Sequence, residues 1–168
     1  ADVAMYMAKQ TGSGYCLYAS EQDQYRPHRL ALMSELHEAI EGDRLFLLYQ
    51  PKIDLHTSRV TGVEALVRWQ HPQLGTILPG QFIPLVEQTG LIKPFTLWIL
   101  NTALHQCYAW HQVGLEVSVA VNLSPRSLHD RQLPDQVAEL LQASGVGPGW
   151  LELEITESIN LADSVRAK

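Results

Sequence analysis

Leu30, Met33, Leu36 and Ile40 recur at three- and four-residue steps. That is the spacing of one helix face, and it predicts a helix from about Pro27 to Glu41 with Gly42 at its C′ position. The period then falls to two. Leu45–Gln50 reads as an apolar strand ending at Pro51, and Lys52–Leu55 and Arg59–Trp69 as two strands joined by a turn at His56–Ser58. Pro72, Gly75, Pro79 and Gly80 mark residues 70–81 as a loop, and Phe82–Gln88 follows as a short helix broken at Gly90. Pro94 predicts the first position of a long helix, where its missing N–H costs nothing. Phe95, Trp98, Ile99, Ala103, Gln106, Cys107 and Trp110 fall on that helix's buried face. Glu116–Leu123 alternates as a strand, and Pro134–Ser144 forms a helix closed by Gly145, with Val137, Leu140 and Leu141 inward. Leu151–Thr156 reads as the last strand. Upstream, Val3, Met5, Tyr6 and Lys9 follow helix spacing, Gly12 and Gly14 stop it, and Tyr15–Tyr18 reads as a short strand. A piece that short cannot bury its own apolar face.

Strands alternating with helices after an initial hairpin argue for an α/β fold built of parallel βα units. A three-layer open sheet and a (β/α)8 barrel both fit this order. With 168 residues, 46% of them hydrophobic, the chain is about one domain's worth of ordinary globular sequence. Its 12 Lys and Arg against 18 Asp and Glu give a net charge of −6, a poor match for DNA, RNA or an anionic membrane surface. Only two cysteines, Cys16 and Cys107, are present, which fits a reduced cytoplasmic setting better than a disulfide framework.

Three strands carry polar residues where buried parallel strands are apolar. Glu64, Leu66 and Arg68 share one face of their strand by the two-residue period; Ser118, Ala120 and Asn122 share one face of theirs, and Glu152 and Glu154 of theirs. Glu64, Asn122 and Glu154 all fall toward strand C-terminal ends, the end that carries the active site in βα barrels. Two carboxylates and an amide oxygen are hard ligands suited to Mg²⁺ or Mn²⁺ rather than to a thiolate-bound zinc. Arg68 points toward the same opening, and a guanidinium there can grip a phosphate. Spacing alone leaves open a structural Glu64–Arg68 ion pair, with Glu154 a surface residue of an edge strand. Glu87 reads as a solvated helix residue, Trp98 and Trp110 as core packing, and Cys107 as a buried apolar filler.

The string Glu64-Ala65-Leu66-Val67-Arg68-Trp69 resembles the signature of EAL domains, the cyclic di-GMP phosphodiesterases. Tyr49-Gln50-Pro51-Lys52-Ile53-Asp54, Phe82-Ile83-Pro84-Leu85-Val86-Glu87 with Gly90-Leu91-Ile92, Asn122-Leu123-Ser124 and Glu154-Ile155-Thr156-Glu157-Ser158 resemble that family's other blocks, in its order. Residues 1–9 with Gly12 are similar to the last helix of a GGDEF domain, with Ser13-Gly14 where that family often has Arg-Asn. The expected organisation is a GGDEF-like tail at 1–19, a linker at 20–29, and the N-terminal part of an EAL domain at 30–168.

The resemblance implies a modified (β/α)8 barrel with an antiparallel first strand, represented by roughly its first half, since a complete barrel takes about 250 residues. It implies Glu64, Asn122 and Glu154 as ligands of two Mg²⁺ or Mn²⁺ ions, with Glu64 and Glu154 in the catalytic centre. Gln50 and Arg68 would contact cyclic di-GMP, and Glu157 would stabilise a loop at the metal site. The implied reaction is hydrolysis of cyclic di-GMP to linear pGpG. The alternative is a catalytically inactive receptor or assembly module for the same nucleotide. A half barrel by itself is expected to be inactive and to pair as a homodimer or by strand exchange, with no membrane contact from this segment.

Overall fold

The computed structural model describes residues 25–155, with 25–31 in backbone only. The tail helix and strand expected upstream of residue 20, Thr156 and Glu157 lie outside the described residues. The chain divides into two compact units, Ala1–Glu38 and Ala39–Lys168. Helix α1 spans Tyr25–Glu41 and so begins inside the segment expected as linker. Among its described side chains Leu32, Leu36, Ala39 and Ile40 are buried while Met33 is only half-buried, so from Leu32 onward the inward stripe lies slightly to one side of the one expected. Gly42 follows the helix without taking the left-handed conformation.

The second unit is built on one sheet. Strand β1 is Leu45–Ile53, β2 is Val60–His71 and β3 is Gly75–Ile77. Helices α2, Pro79–Gln88, and α3, Ile92–Gln112, lead to β4, Ser118–Leu123. A 3-10 turn at Pro125–His129, helix α4 at Leu133–Ser144 and a second 3-10 turn at Pro148–Trp150 lead to β5, Leu151–Ile155. The strand order is β1-β2-β4-β5, with β3 also paired to β2. β1 and β3 run antiparallel to β2, while β2, β4 and β5 are mutually parallel.

Several boundaries differ from the sequence expectation, each for a local reason. β1 runs unbroken through Pro51, because among the described strands β1 lies at the sheet's edge and a proline N–H is dispensable on the side it leaves unpaired. The expected loop at 70–81 contains β3, held by pairing Trp69 to Ile77 and His71 to Gly75, with Gly75 left-handed. Pro79 and Gly80 belong to α2, where Pro79 supplies a preset φ in the first turn. Pro94 is in the first turn of α3 rather than at its first position, still among the N–H groups that no helical carbonyl could reach. Thr96, Leu100 and Leu104 widen that helix's buried stripe, while Trp98, Gln106 and Trp110 are only half-buried. Val137, Leu140 and Leu141 of α4 are half-buried as well. Gly145 takes the left-handed C-cap expected of it, and its N–H caps the Leu141 carbonyl.

The two faces of the sheet differ. Val63, Ala65, Val67 and Trp69 of β2 and Val119 and Val121 of β4 are buried, on the side where α2 and α3 pack. Trp69, Phe82 and Phe95 meet edge to face in sequence, with centroids 5.8 and 6.0 Å apart, and Tyr49 meets Trp110 at 4.8 Å. The other face carries Gln50, Lys52, Glu64, Arg68, Ser118, Asn122, Glu152 and Glu154 and is partly open. A three-layer sheet would have helices on both sides; here the described helices cover one, as in a barrel wall. Lys52 on β1 nonetheless touches Glu154 on β5, three strands away. In a flat sheet those strands would stand about 14 Å apart at about 4.8 Å per step, beyond what a lysine and a glutamate can bridge together. The sheet is therefore curled around its polar face. No helix among the described residues is long and apolar enough to cross a membrane.

Candidate functional site

The parallel register decides which polar residues meet. Glu64 is paired with Ala120, which sets Asn122 one pleat farther along the neighbouring strand, and Asn122 is paired directly with Glu154. Asn122 Nδ2 donates to Glu64 Oε1 at 2.7 Å. The three residues singled out from the strand pattern thus lie on one face of adjacent strands. Using Nδ2 on Glu64 leaves the amide oxygen without a donor among the described residues. Gln50 is the cross-strand partner of Glu64 and is exposed on the same face.

Arg68 behaves differently from the structural alternative considered for it. Its Nη1 donates to the Val67 carbonyl at 2.8 Å, and no ion pair joins it to Glu64. The guanidinium is folded back on its own strand, two pleats from Glu64.

Lys52 is the central charge that the strand pattern did not single out. Its ammonium donates to Glu154 Oε1 at 2.6 Å and to Glu152 Oε2 at 2.8 Å. Glu152 also accepts the Ser118 hydroxyl at 2.8 Å. Partial burial works against the charged lysine, but the hydrogen bonds and charges of the two glutamates outweigh it and hold the ammonium above its ordinary range. Hydrogen bonds from Lys52 and Ser118 hold Glu152 below the usual carboxylate range. Gly62 makes room for this arrangement, since a Cβ there would collide with Ser118 Oγ. The signal available in the sequence was that Lys52 shares a strand face with Gln50; its partner lies 102 residues on.

Glu87 also has a structural post rather than the solvated one expected. Its carboxylate accepts Ser124 Oγ at 2.6 Å, and its carbonyl accepts Arg126 Nη1 at 2.6 Å. Ser124 caps the 3-10 turn by accepting the Arg126 N–H. The end of α2 is thereby tied to the segment that leaves β4 just after Asn122.

Cys107 is buried, and burial raises its thiol pKa. His111 bonds the Val117 carbonyl at 3.1 Å and stacks edge-on against Trp150, a packing role. Among the described residues no cluster of three or more His, Cys, Asp or Glu is arranged to hold a metal. The oxygen donors that could do so are Glu64, Asn122 and Glu154, an amide completing two carboxylates.

Comparison with known proteins bears on this arrangement. The family model described as "EAL domain" matches residues 33–167. The chain is 42% identical over 166 residues, 98% of its length, to the Pseudomonas aeruginosa protein named bifunctional diguanylate cyclase/cyclic di-GMP phosphodiesterase MucR. It is 38% identical over 158 residues, 94% of its length, to cyclic di-GMP phosphodiesterase PA2567 of the same organism. The chain spans about a quarter of these relatives, 24% and 27% respectively. A solved structure titled "PaMucR Phosphodiesterase, c-di-GMP complex" superposes with a TM-score of 0.76 at 41% identity, covering 80% of this chain and 55% of that one.

Proposed function

Because this chain belongs to the EAL domain family, we propose that it supplies one wall of the active site of a metal-dependent phosphodiesterase that hydrolyses cyclic di-GMP to linear pGpG. The observation that carries the reading is the 2.7 Å bond between Asn122 and Glu64 on adjacent strands, with Glu154 next in register. It gathers two carboxylates and one amide oxygen on the open face of a curled sheet.

The donor set fits a hard divalent ion. All three groups are oxygen donors, and Asn122 spends its nitrogen on Glu64, which leaves its oxygen to coordinate. We assign Glu64, Asn122 and Glu154 as ligands of Mg²⁺ or Mn²⁺, in a two-ion site completed by residues outside 25–155. Bound there, such ions supply an acidified water and neutralise charge on the phosphoryl oxygens. The chain's own contribution is orientation. The Asn122–Glu64 bond fixes both side chains before any ligand arrives, which reduces the reorganisation needed at reaction.

Gln50 and Arg68 are assigned to the cyclic dinucleotide. Arg68 exchanges its bond to a neutral carbonyl for one to an anionic phosphate oxygen, where both partners are charged, the stronger of the two. Glu157 is assigned to a loop beside the metal site. Among the described residues β5 pairs with β4 alone, and its other edge is the surface on which further barrel strands, or a second copy, would pair. The cytoplasmic setting that goes with this reading rests on the sequence's two cysteines, too few for a disulfide framework.

The test is incubation of the longer protein containing this chain with cyclic di-GMP and Mn²⁺ or Mg²⁺, with chromatography of the products. Linear pGpG that disappears with EDTA supports the reading. Tight nucleotide binding without turnover at any metal concentration would instead establish a receptor.

A further inference from the structure

The Lys52 fork is the feature of the polar face that the proposed chemistry leaves unused. One ammonium is shared by two carboxylates of the same strand. Glu154 is the proposed metal ligand. Glu152 lies one pleat below it and is anchored independently by the Ser118 hydroxyl. Lys52 sits near the end of antiparallel β1, opposite Gly62, and so approaches from the N-terminal end of the parallel strands. A divalent ion on Glu154 and an ammonium 2.6 Å from the same carboxylate oxygen would repel strongly at the effective dielectric of a protein surface.

We propose that Lys52 is a built-in competitor for the metal at Glu154, a positioning residue that neutralises this glutamate until a divalent ion displaces it and then rests on Glu152. This inference rests on the metal assignment of Glu154 made above. The fork geometry makes the exchange simple. Lys52 releases one of two carboxylates and keeps the other, so its ammonium still has a carboxylate partner when the metal arrives. Glu152, held by Ser118, stays in place to receive it.

The two partners of the fork therefore affect metal binding with opposite signs. Lys52→Met removes the competitor and tightens binding. Glu152→Gln removes the resting place, leaves Lys52 committed to Glu154, and weakens binding. A clamp that merely holds Glu154 in place for the metal would weaken binding in both variants, and a fixed ammonium that never leaves Glu154 would give the opposite signs through space without the saturable lysine resonance shift described below. Mn²⁺ affinity of the whole protein is measured directly, by calorimetry or by the loss of the free-ion electron paramagnetic resonance signal. We expect Lys52→Met to lower the Kd about fivefold and Glu152→Gln to raise it about threefold, sizes typical of one partly screened charge interaction. Lys52→Arg keeps the charge and stays near wild type.

An unchanged or higher Kd in folded Lys52→Met overturns the proposal, as does an unchanged or lower Kd in Glu152→Gln. Should Lys52→Met fail to fold, Glu152→Gln decides the sign. On the unaltered protein, Mg²⁺ titration should move a single lysine side-chain ¹⁵N resonance saturably, and its absence counts against the proposal. Absence of Mn²⁺ binding in every variant removes both this proposal and the metal assignment. The opposite-sign pattern in a protein that never cleaves cyclic di-GMP would instead defeat the phosphodiesterase reading and leave the competitor in place.

Discussion

Asn122 and Glu64 stand 58 residues apart in sequence and share a 2.7 Å hydrogen bond across neighbouring parallel strands, amide nitrogen to carboxylate oxygen. The bond orients both side chains at once. Glu64 brings the negative charge as well as the acceptor of this bond, so its loss should disturb the site more than that of Asn122.

Glu64→Ala should abolish metal-dependent hydrolysis in the longer protein while the fold survives. Loss of a neighbour that merely orients a ligand costs about 10–100-fold in metal affinity or activity, so loss of a ligand should exceed about 100-fold. Turnover is followed by nucleotide chromatography and folding by circular dichroism. A folded variant with wild-type turnover would remove Glu64 from the catalytic centre.

Arg68→Ala should weaken cyclic di-GMP binding by about 1.5–3 kcal/mol, the range for a hydrogen bond to a charged group. The side chain now spends one donor on the Val67 carbonyl, so little folding stability should be lost with it. Calorimetry reads the affinity, and an unaltered value would place Arg68 outside the nucleotide contact.

Glu87→Ala should cost about 1–2 kcal/mol of stability, the low end for a half-exposed charged acceptor. It leaves Ser124 and the turn after Asn122 untied from α2. The urea midpoint should fall with no change in the steepness of the transition. An unchanged midpoint would mean that the Ser124–Glu87 bond does not hold the two elements together.

Gly62→Ala should destabilise by about 1–3 kcal/mol, the cost of forcing atoms into a packed site. The added methyl meets both Ser118 Oγ and, at 3.1 Å, the Ser118 carbonyl. Ser118→Ala in the same chain should therefore recover only part of the loss. Full tolerance of Gly62→Ala in thermal unfolding would contradict the close approach of β2 and β4.

Acid sensitivity should have a component from Asp130. The Gln132 backbone N–H, then Lys93, hold its carboxyl below the ordinary value of 3.8. A carboxyl depressed on folding contributes its stability above the unfolded value, and that contribution is lost as pH falls through the folded value. Asp130→Asn should flatten the stability profile below about pH 4. A profile identical to wild type in that range would show that Asp130 is not linked to folding.

Local rules carried much of the reading. The alternation through Val63–Trp69 placed Glu64 and Arg68 on one strand face, and Gly145 marked the end of α4, because these depend on nearest neighbours along the chain. Boundaries slipped where a partner element intervened. The pairing of Trp69 with Ile77 turned part of a Gly- and Pro-rich loop into β3, and the edge position of β1 let it run through Pro51. Glu87 reads as solvated from sequence alone because nothing near it in the chain announces Ser124, 37 residues on.

By itself the sequence determined the family, the strand faces and the oxygen-donor character of the candidate ligands, since each is written in residue type and short-range period. Only the tertiary structure decided that Asn122 bonds Glu64, that Arg68 turns back to Val67, and that Lys52 reaches Glu154. Those contacts depend on inter-strand register and on the curl of the sheet. Both arise from packing between segments up to 102 residues apart, which no local pattern encodes.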